Sequence, residues 1–399
     1  MVDVAKVRMF GQNIGTFVWD DSYRVARFEY DNDFVGKGIE PSPIMMPVQQ
    51  GRIYSFGSLN WDTFNGLPGM LADSLPDTYG RALFDQWLTL TGRTTSNPVE
   101  SLCFLGQRCM GALEFEPATG PSSDANMKFE IDTLIDVARE ALSKKKDFGV
   151  NLDVDRKAAI AEILRLGTSA GGQRAKAIIA YNKETGEVRS GQISAPEGFD
   201  YYLIKLDGVT AEAGFKETEN FGRLEYSFSE LVKNCGIDMT ECSLIEENGR
   251  AHFLTKRFDR ENGRKIHMQT LCGMAHYDFR LKNGHSYEQA FNVMRRLRLP
   301  YSQAQEMFRR IVFNVVVRNQ DDHTKNISFL MDSSGQWSLS PAYDMGFAYN
   351  PLGAWTATHQ MSINGKFDNI TRADLLSLAN ANNIKNASEI IDQVCETTA

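Results

Sequence analysis

A chain of 399 residues, 42% hydrophobic and 24% charged, has the composition of a soluble globular protein long enough for two or three domains. Its formal net charge of -8 argues against a broad nucleic-acid-binding surface, while a local basic patch stays compatible with it. No apolar run approaches the ~20 residues of a membrane span and no signal-peptide core opens the sequence, so a cytosolic protein is expected, its six scattered cysteines reduced.

Residues 4–35 alternate as strands do, with Gly11, Gln12, Asn13, Ile14 and Gly15 as a turn, and predict a small antiparallel sheet. A loop punctuated by Gly and Pro over 66–79 leads into helical periodicity over 79–91, which ends at Gly92, and 109–115 reads as a strand. Residues 116–126, rich in Pro, Gly and Ser, are the best candidate linker. Helices are predicted over 130–144 and 153–166. Directly after the second comes Gly167-Thr168-Ser169-Ala170-Gly171-Gly172-Gln173-Arg174-Ala175-Lys176, leading into a strand over 177–181. Glycines beside a strand let backbone N–H groups approach phosphate oxygens closely, although a flexible hairpin entry explains them equally well.

Residues 201–206 form a short, nearly all-apolar strand carrying one lysine, Lys205. An ammonium in such a run must snorkel to water or meet a fixed anion, because burying it unpaired is very costly. Glu225 supplies a candidate: it lies within the helical stripe Phe221, Leu224, Phe228, Leu231 and Val232, with Glu219 in reserve. An inward acid on a helix that follows a lysine-bearing strand matches the pair that orients ATP phosphates in protein kinases, whereas a Glu at the stripe edge would simply be solvated. Residues 243–246 and 251–258 pair as strands around Glu247-Asn248-Gly249. Their exit through Lys256 and Phe258 stands where a kinase hinge offers main-chain groups to adenine, or is only a charged, solvated end.

From Ser286 onward the pattern is helical, and the helix over 303–317 leads into the most informative stretch. Asp321 precedes Asn326 by five residues, the spacing of base and metal-binding Asn in a kinase catalytic loop; a hairpin over 327–330 and 337–339 follows, then Asp344. Oxygen ligands distant in sequence can share a hard divalent cation across such a hairpin. Taken alone, residues 321–326 read equally as an Asx-rich turn. Helices near 371–380 and 387–394 follow.

Glycine loop, strand Lys, helix Glu, β-rich exit, Asp-x-x-x-x-Asn, hairpin, Asp: that order is the one a bilobal kinase needs. On Ser169 to Lys176, Tyr202-Leu203-Ile204-Lys205, Arg257-Phe258-Asp259-Arg260, Asp321-Asp322-His323-Thr324-Lys325-Asn326 and Tyr343-Asp344-Met345, the chain resembles the HipA family of serine/threonine kinases, toxins of type II toxin-antitoxin modules. Gly66-Leu67-Pro68-Gly69-Met70-Leu71-Ala72-Asp73-Ser74-Leu75-Pro76-Asp77 and Met110-Gly111-Ala112-Leu113 resemble that family's accessory domain. The resemblance implies an α+β, bilobal protein-kinase-like fold. A small β-rich accessory domain would occupy 1–120, an N-lobe-like region 127–258 and a mainly helical C-lobe 259–399.

Position by position, it implies that Asp321 accepts the substrate hydroxyl proton, that Asn326 and Asp344 hold Mg2+, and that Lys205, oriented by Glu225, grips the ATP phosphates. The backbone around Ala170, Gly171 and Gly172 would cover them, with Lys325 placed to reach a phosphate; His323 would orient the loop or simply be a polar residue satisfied at a helix end. Asp322 is a rival base, disfavoured by its spacing to Asn326. Ser169, or Thr168 beside it, is the implied autophosphorylation site that silences the enzyme. Implied partners are a HipB-type helix-turn-helix antitoxin, operator DNA reached mainly through it, and a protein substrate such as an aminoacyl-tRNA synthetase. A catalytically inactive kinase-fold module acting through the antitoxin complex is the alternative, and a small-molecule phosphotransferase a third.

Overall fold

The computed structural model describes residues 2–120, 131, 135, 174–191, 195–210 and 220–399. The glycine stretch through Gln173, including Thr168, Ser169, Ala170, Gly171 and Gly172, lies outside the described residues, as do Glu219, the helix expected over 153–166 and all but Ile131 and Ile135 of that expected over 130–144.

The N-terminal unit is a five-stranded antiparallel sheet ordered β4-β3-β2-β1-β5, from β1 (Val4–Met9), β2 (Gln12–Asp20), β3 (Val25–Tyr30), β4 (Ile53–Tyr54) and β5 (Leu113–Glu116). Alternation in β1 buries Ala5, Val7 and Met9 on one face, where Phe17 meets Phe115 edge-on at 5.9 Å. The first turn is tighter than the sequence suggests. Phe10 and Gly11 both have positive φ, a two-residue hairpin turn, so residues 12–15 belong to the strand. Between β4 and β5 run α1 (Trp61–Phe64), α2 (Gly69–Ala72), α3 (Thr78–Leu90) and α4 (Pro98–Leu105), the last not anticipated although Asn97 caps it and Pro98 opens it. Strand β5 begins four residues later than expected because Gly111, at φ 74°, turns the chain against the backbone of Met268.

A second antiparallel sheet, ordered β7-β6-β8-β10-β9, comprises β6 (Arg174–Tyr181), β7 (Val188–Ser190), β8 (Asp200–Thr210), β9 (Cys242–Glu247) and β10 (Arg250–Lys256). Helix α5 (Phe221–Asn234) packs across it. Gly222 permits the approach, since a Cβ there would stand 1.8 Å from Ala251 O, and Asp207 accepts the amides of Asn220 and Phe221 at 3.0 and 3.1 Å to fix the helix start.

The remainder opens with the hairpin β11 (Arg260–Glu261) and β12 (Arg264–Lys265). It continues through β13 (His267–Thr270), α6 (Leu271–Ala275), β14 (His285–Ser286), α7 (Tyr287–Arg296) and α8 (Tyr301–Val316). After a 3-10 turn at Thr324–Asn326 come β15 (Ser328–Met331), β16 (Trp337–Leu339), β17 (Met361–Ser362), α9 (Arg372–Ala381) and α10 (Ala387–Thr398). The expected hairpin is β15-β16: Asp332 Oδ1 accepts the Ser334 and Gln336 amides and Gly335 takes φ 88°. Strand β13, not anticipated, completes its sheet.

N- and C-terminal units meet where α2 crosses α6. Glycine faces glycine there: a Cβ on Gly69 would lie 2.2 Å from Gly273 O, and one on Gly273 2.1 Å from Asp73 Oδ2. Asp73 accepts the Thr270 amide at 2.7 Å and hydroxyl at 2.8 Å, and burial, partly offset by Lys325 and these hydrogen bonds, pushes its pKa up to about 6. Gly273→Ala is expected to lower stability by about 1–3 kcal/mol, the cost of overpacking a closed contact. Equilibrium denaturation would show it, and an unchanged midpoint would mean that the contact opens without cost.

Candidate functional site

Lys205 stands on β8, paired with Phe253 of β10 and Lys176 of β6. Its ammonium lies 3.3 Å from Glu225 Oε1 on α5 and in direct contact with Asp344 Oδ1. Strand lysine, helix acid and distant aspartate, expected separately from the sequence, therefore converge on one point. Burial opposes the lysine's charge, but the Asp344 and Glu225 carboxylates overcome it and raise its pKa. Conversely, burial works against the Asp344 charge, and Lys205 outweighs it to hold the carboxylate below its usual range. Asp344 adopts φ 51°, a left-handed conformation uncommon for residues other than glycine, and Asn319 donates to its carbonyl at 3.4 Å.

The segment after α8 supplies the other half. Asn326 donates its Nδ2 to Asp321 O at 2.8 Å, which tightens the loop and turns the amide oxygen away from that bond. Asn326, Asp344, Asn319 and His323 line one cavity. Asp321 Oδ1 accepts the Trp355 indole N–H at 2.6 Å and lies 3.9 Å from His323 Nε2. Burial raises the Asp321 pKa despite His323 and Trp355, and burial lowers that of His323, which is therefore a neutral imidazole near pH 7. Asp322 borders the same cavity but is engaged elsewhere. Buried at 3% exposure, it accepts from Tyr287 Oη (2.7 Å), His359 Nδ1 (2.9 Å) and the Gln360 amide (2.7 Å), so it anchors the loop and is no rival base.

Four further expected residues have their own neighbours. The Lys256 side chain pairs with Asp200 at 2.8 Å, its amide donates to Glu241 O and its carbonyl accepts the Thr240 hydroxyl at 3.1 Å; Phe258 faces Tyr343, ring centroids 5.8 Å apart. Lys325 extends its ammonium over the Phe279 ring at 4.8 Å, toward the side from which it acts on Asp73 and Asp77 of the N-terminal unit. His323 precedes a 3-10 turn without capping it. Trp355, in the irregular stretch before β17, escaped the sequence reading because nothing local marks it as Asp321's partner.

Whether this pocket fits a magnesium nucleotide can be judged from its donors. One carboxylate and one amide oxygen are a hard but incomplete set, and among the described residues no group of three His, Cys, Asp or Glu side chains forms a metal cage. Mg2+ bound with phosphates and waters needs no more protein ligands than these, and a fixed ammonium beside them suits the phosphates.

Fold and site together define a bilobal, kinase-like α+β protein. Residues 168–399 match the HipA-like C-terminal domain and residues 5–116 the HipA N-terminal domain. The chain belongs to the HipA family. A solved complex of the Shewanella oneidensis MR-1 toxin-antitoxin system, HipA with HipB and its operator DNA, superposes with a TM-score of 0.67 over 98% of this chain and 91% of that one, at 18% identity. Two proteins described as candidate kinases, from Haemophilus influenzae and Sinorhizobium fredii, are 29% and 27% identical over 136 and 125 residues; the chain covers 39% and 30% of their own lengths.

Proposed function

We propose that this chain is an ATP- and Mg2+-dependent serine/threonine protein kinase acting as the toxin of a type II toxin-antitoxin pair. The convergence of Lys205, Glu225 and Asp344 beside Asp321 and Asn326 carries this reading, since a module without catalytic demand has no need of all five. Magnesium, when bound, would draw the phosphate oxygens together and neutralise the charge that develops on transfer. Asp344 and the Asn326 amide oxygen would hold it. Lys205, kept extended by Glu225, positions the phosphates, and Asp321 accepts the proton of an incoming serine or threonine hydroxyl once that hydroxyl displaces the Trp355 indole. Ser169, or Thr168 beside it, is the site at which added phosphate would bar the nucleotide by placing about -1.5 to -2 charge in its path. A HipB-type antitoxin and, through it, operator DNA are the proposed partners, and an aminoacyl-tRNA synthetase the proposed class of substrate.

The test is phosphate incorporation with MgATP, followed by peptide mass spectrometry. Phosphate is expected on the tryptic peptide of residues 166–174 and on a co-incubated synthetase. A chain that binds MgATP yet labels neither is a binding module, and one that labels the synthetase with the peptide unmodified loses only the autoregulatory part.

A further inference from the structure

Lys176 on β6 and Lys205 on β8 are register partners, so two ammonium groups leave the same face of the sheet side by side. Like charges placed in this way repel unless each finds an anion. Lys205 has Glu225 and Asp344. Lys176 is met at 2.9 Å by Asp77 of the N-terminal unit, the two side chains 3% and 6% exposed. Asp77 stands at the N-cap of α3, where Oδ1 accepts the Gly80 amide at 2.7 Å and leaves Oδ2 for the lysine. The pair is not isolated from the cleft: Lys176 stands beside Lys205, whose ammonium is in direct contact with Asp344. A carboxylate of the first domain thus reaches the cations of the nucleotide cleft, in the role that Glu225 fills for Lys205 from within the second.

Resting on the kinase reading above, we infer that Asp77 is a positioning residue for the nucleotide: it fixes the Lys176 ammonium beside the triphosphate site and makes the N-terminal domain part of that site. Domain glue alone would give the same ion pair, so the test must read nucleotide handling. Asparagine caps a helix as well as aspartate does, so Asp77→Asn removes the charge and keeps the cap. In the full chain, Asp77→Asn is expected to raise the KM for MgATP about tenfold, the loss of one charge-assisted contact, with kcat little changed because Asp321, Asn326 and Asp344 are untouched. Adding it to Lys176→Met should cost nothing further, since both act through one ammonium.

An unchanged KM in Asp77→Asn, or additive effects in the double variant, overturns the inference. Amide exchange in the wild-type chain decides the matter if Asp77→Asn does not fold. MgATP should slow exchange at residues 73–80 together with 204–206, and slowing at 204–206 alone would confine the site to the second domain. A wild-type chain that binds no MgATP overturns the kinase reading itself and this inference with it.

Discussion

Asp321→Ala is expected to lower the rate of phosphoryl transfer about 10³-fold, within the range by which a positioned general base accelerates its reaction. MgATP affinity should stay near wild type, because Lys205, Glu225, Asn326 and Asp344 are side chains the substitution does not touch. The loop should also survive: Asn326 is held by the main-chain oxygen of residue 321, and Asp322 keeps its anchors to Tyr287, His359 and Gln360. A base works only when deprotonated, so the wild-type rate should rise with pH through the Asp321 pKa, which burial raises from its ordinary value. That limb should vanish in Asp321→Ala. Phosphate incorporation measured across pH in both proteins checks this, and an alanine variant as fast as wild type would remove Asp321 from the role of base.

What could be read from the chain alone was whatever carries its signal locally. The β15-β16 hairpin announces itself through Asp332 and Gly335, and α5 through a stripe that sets Glu225 on the side facing β8 and Lys205. The Asp321 to Asn326 spacing survives folding because local hydrogen bonds close that loop on itself: the Asn326 side-chain amide and the His323 N–H both donate to Asp321 O, and the Asn326 N–H to His323 O. Partners chosen by tertiary packing left no such mark. Asp77 lies in a motif quoted for its family likeness, yet only the pairing of β6 with β8 shows that a second ammonium must find a carboxylate, and only the crossing of α2 over α6 brings one within reach. Lys256 shows the converse: position in the chain suggests a hinge, while its side chain and amide meet Asp200 and Glu241, neighbours that the sequence does not reveal.

The largest loss of stability is expected at Asp259, a residue that touches no nucleotide. Its carboxylate is fully buried between Arg257 and Arg260, whose side chains are 1% and 7% exposed, and it also accepts the Gly111 amide at 2.6 Å. Asp259→Ala would leave two buried guanidinium groups without their anion and one backbone donor without its acceptor. Breaking a buried pair in this way costs about 3–5 kcal/mol, whereas replacing all three charged residues by apolar ones of similar volume would cost far less. Equilibrium denaturation of the single variant measures the first figure, and a midpoint equal to wild type would show that the arginines find other anions. The pH dependence gives an independent check. Burial alone would raise the carboxyl's pKa, but the two arginines pull it well below the unfolded value of about 4, so the stabilisation is fully present above that pH and is lost as pH falls toward the folded pKa. The gap between wild type and Asp259→Ala should therefore narrow on acidification below about pH 4. Because Gly111 sits at the entrance to β5 and Arg260 also binds the Cys109 and Gly111 carbonyls, this cluster ties the N-terminal sheet to the second one. Loosening it should expose the 109–111 segment to protease and, through the domain contact that brings Asp77 to Lys176, weaken MgATP binding at a distance; retained affinity in a protease-sensitive variant would show that the two contacts are independent.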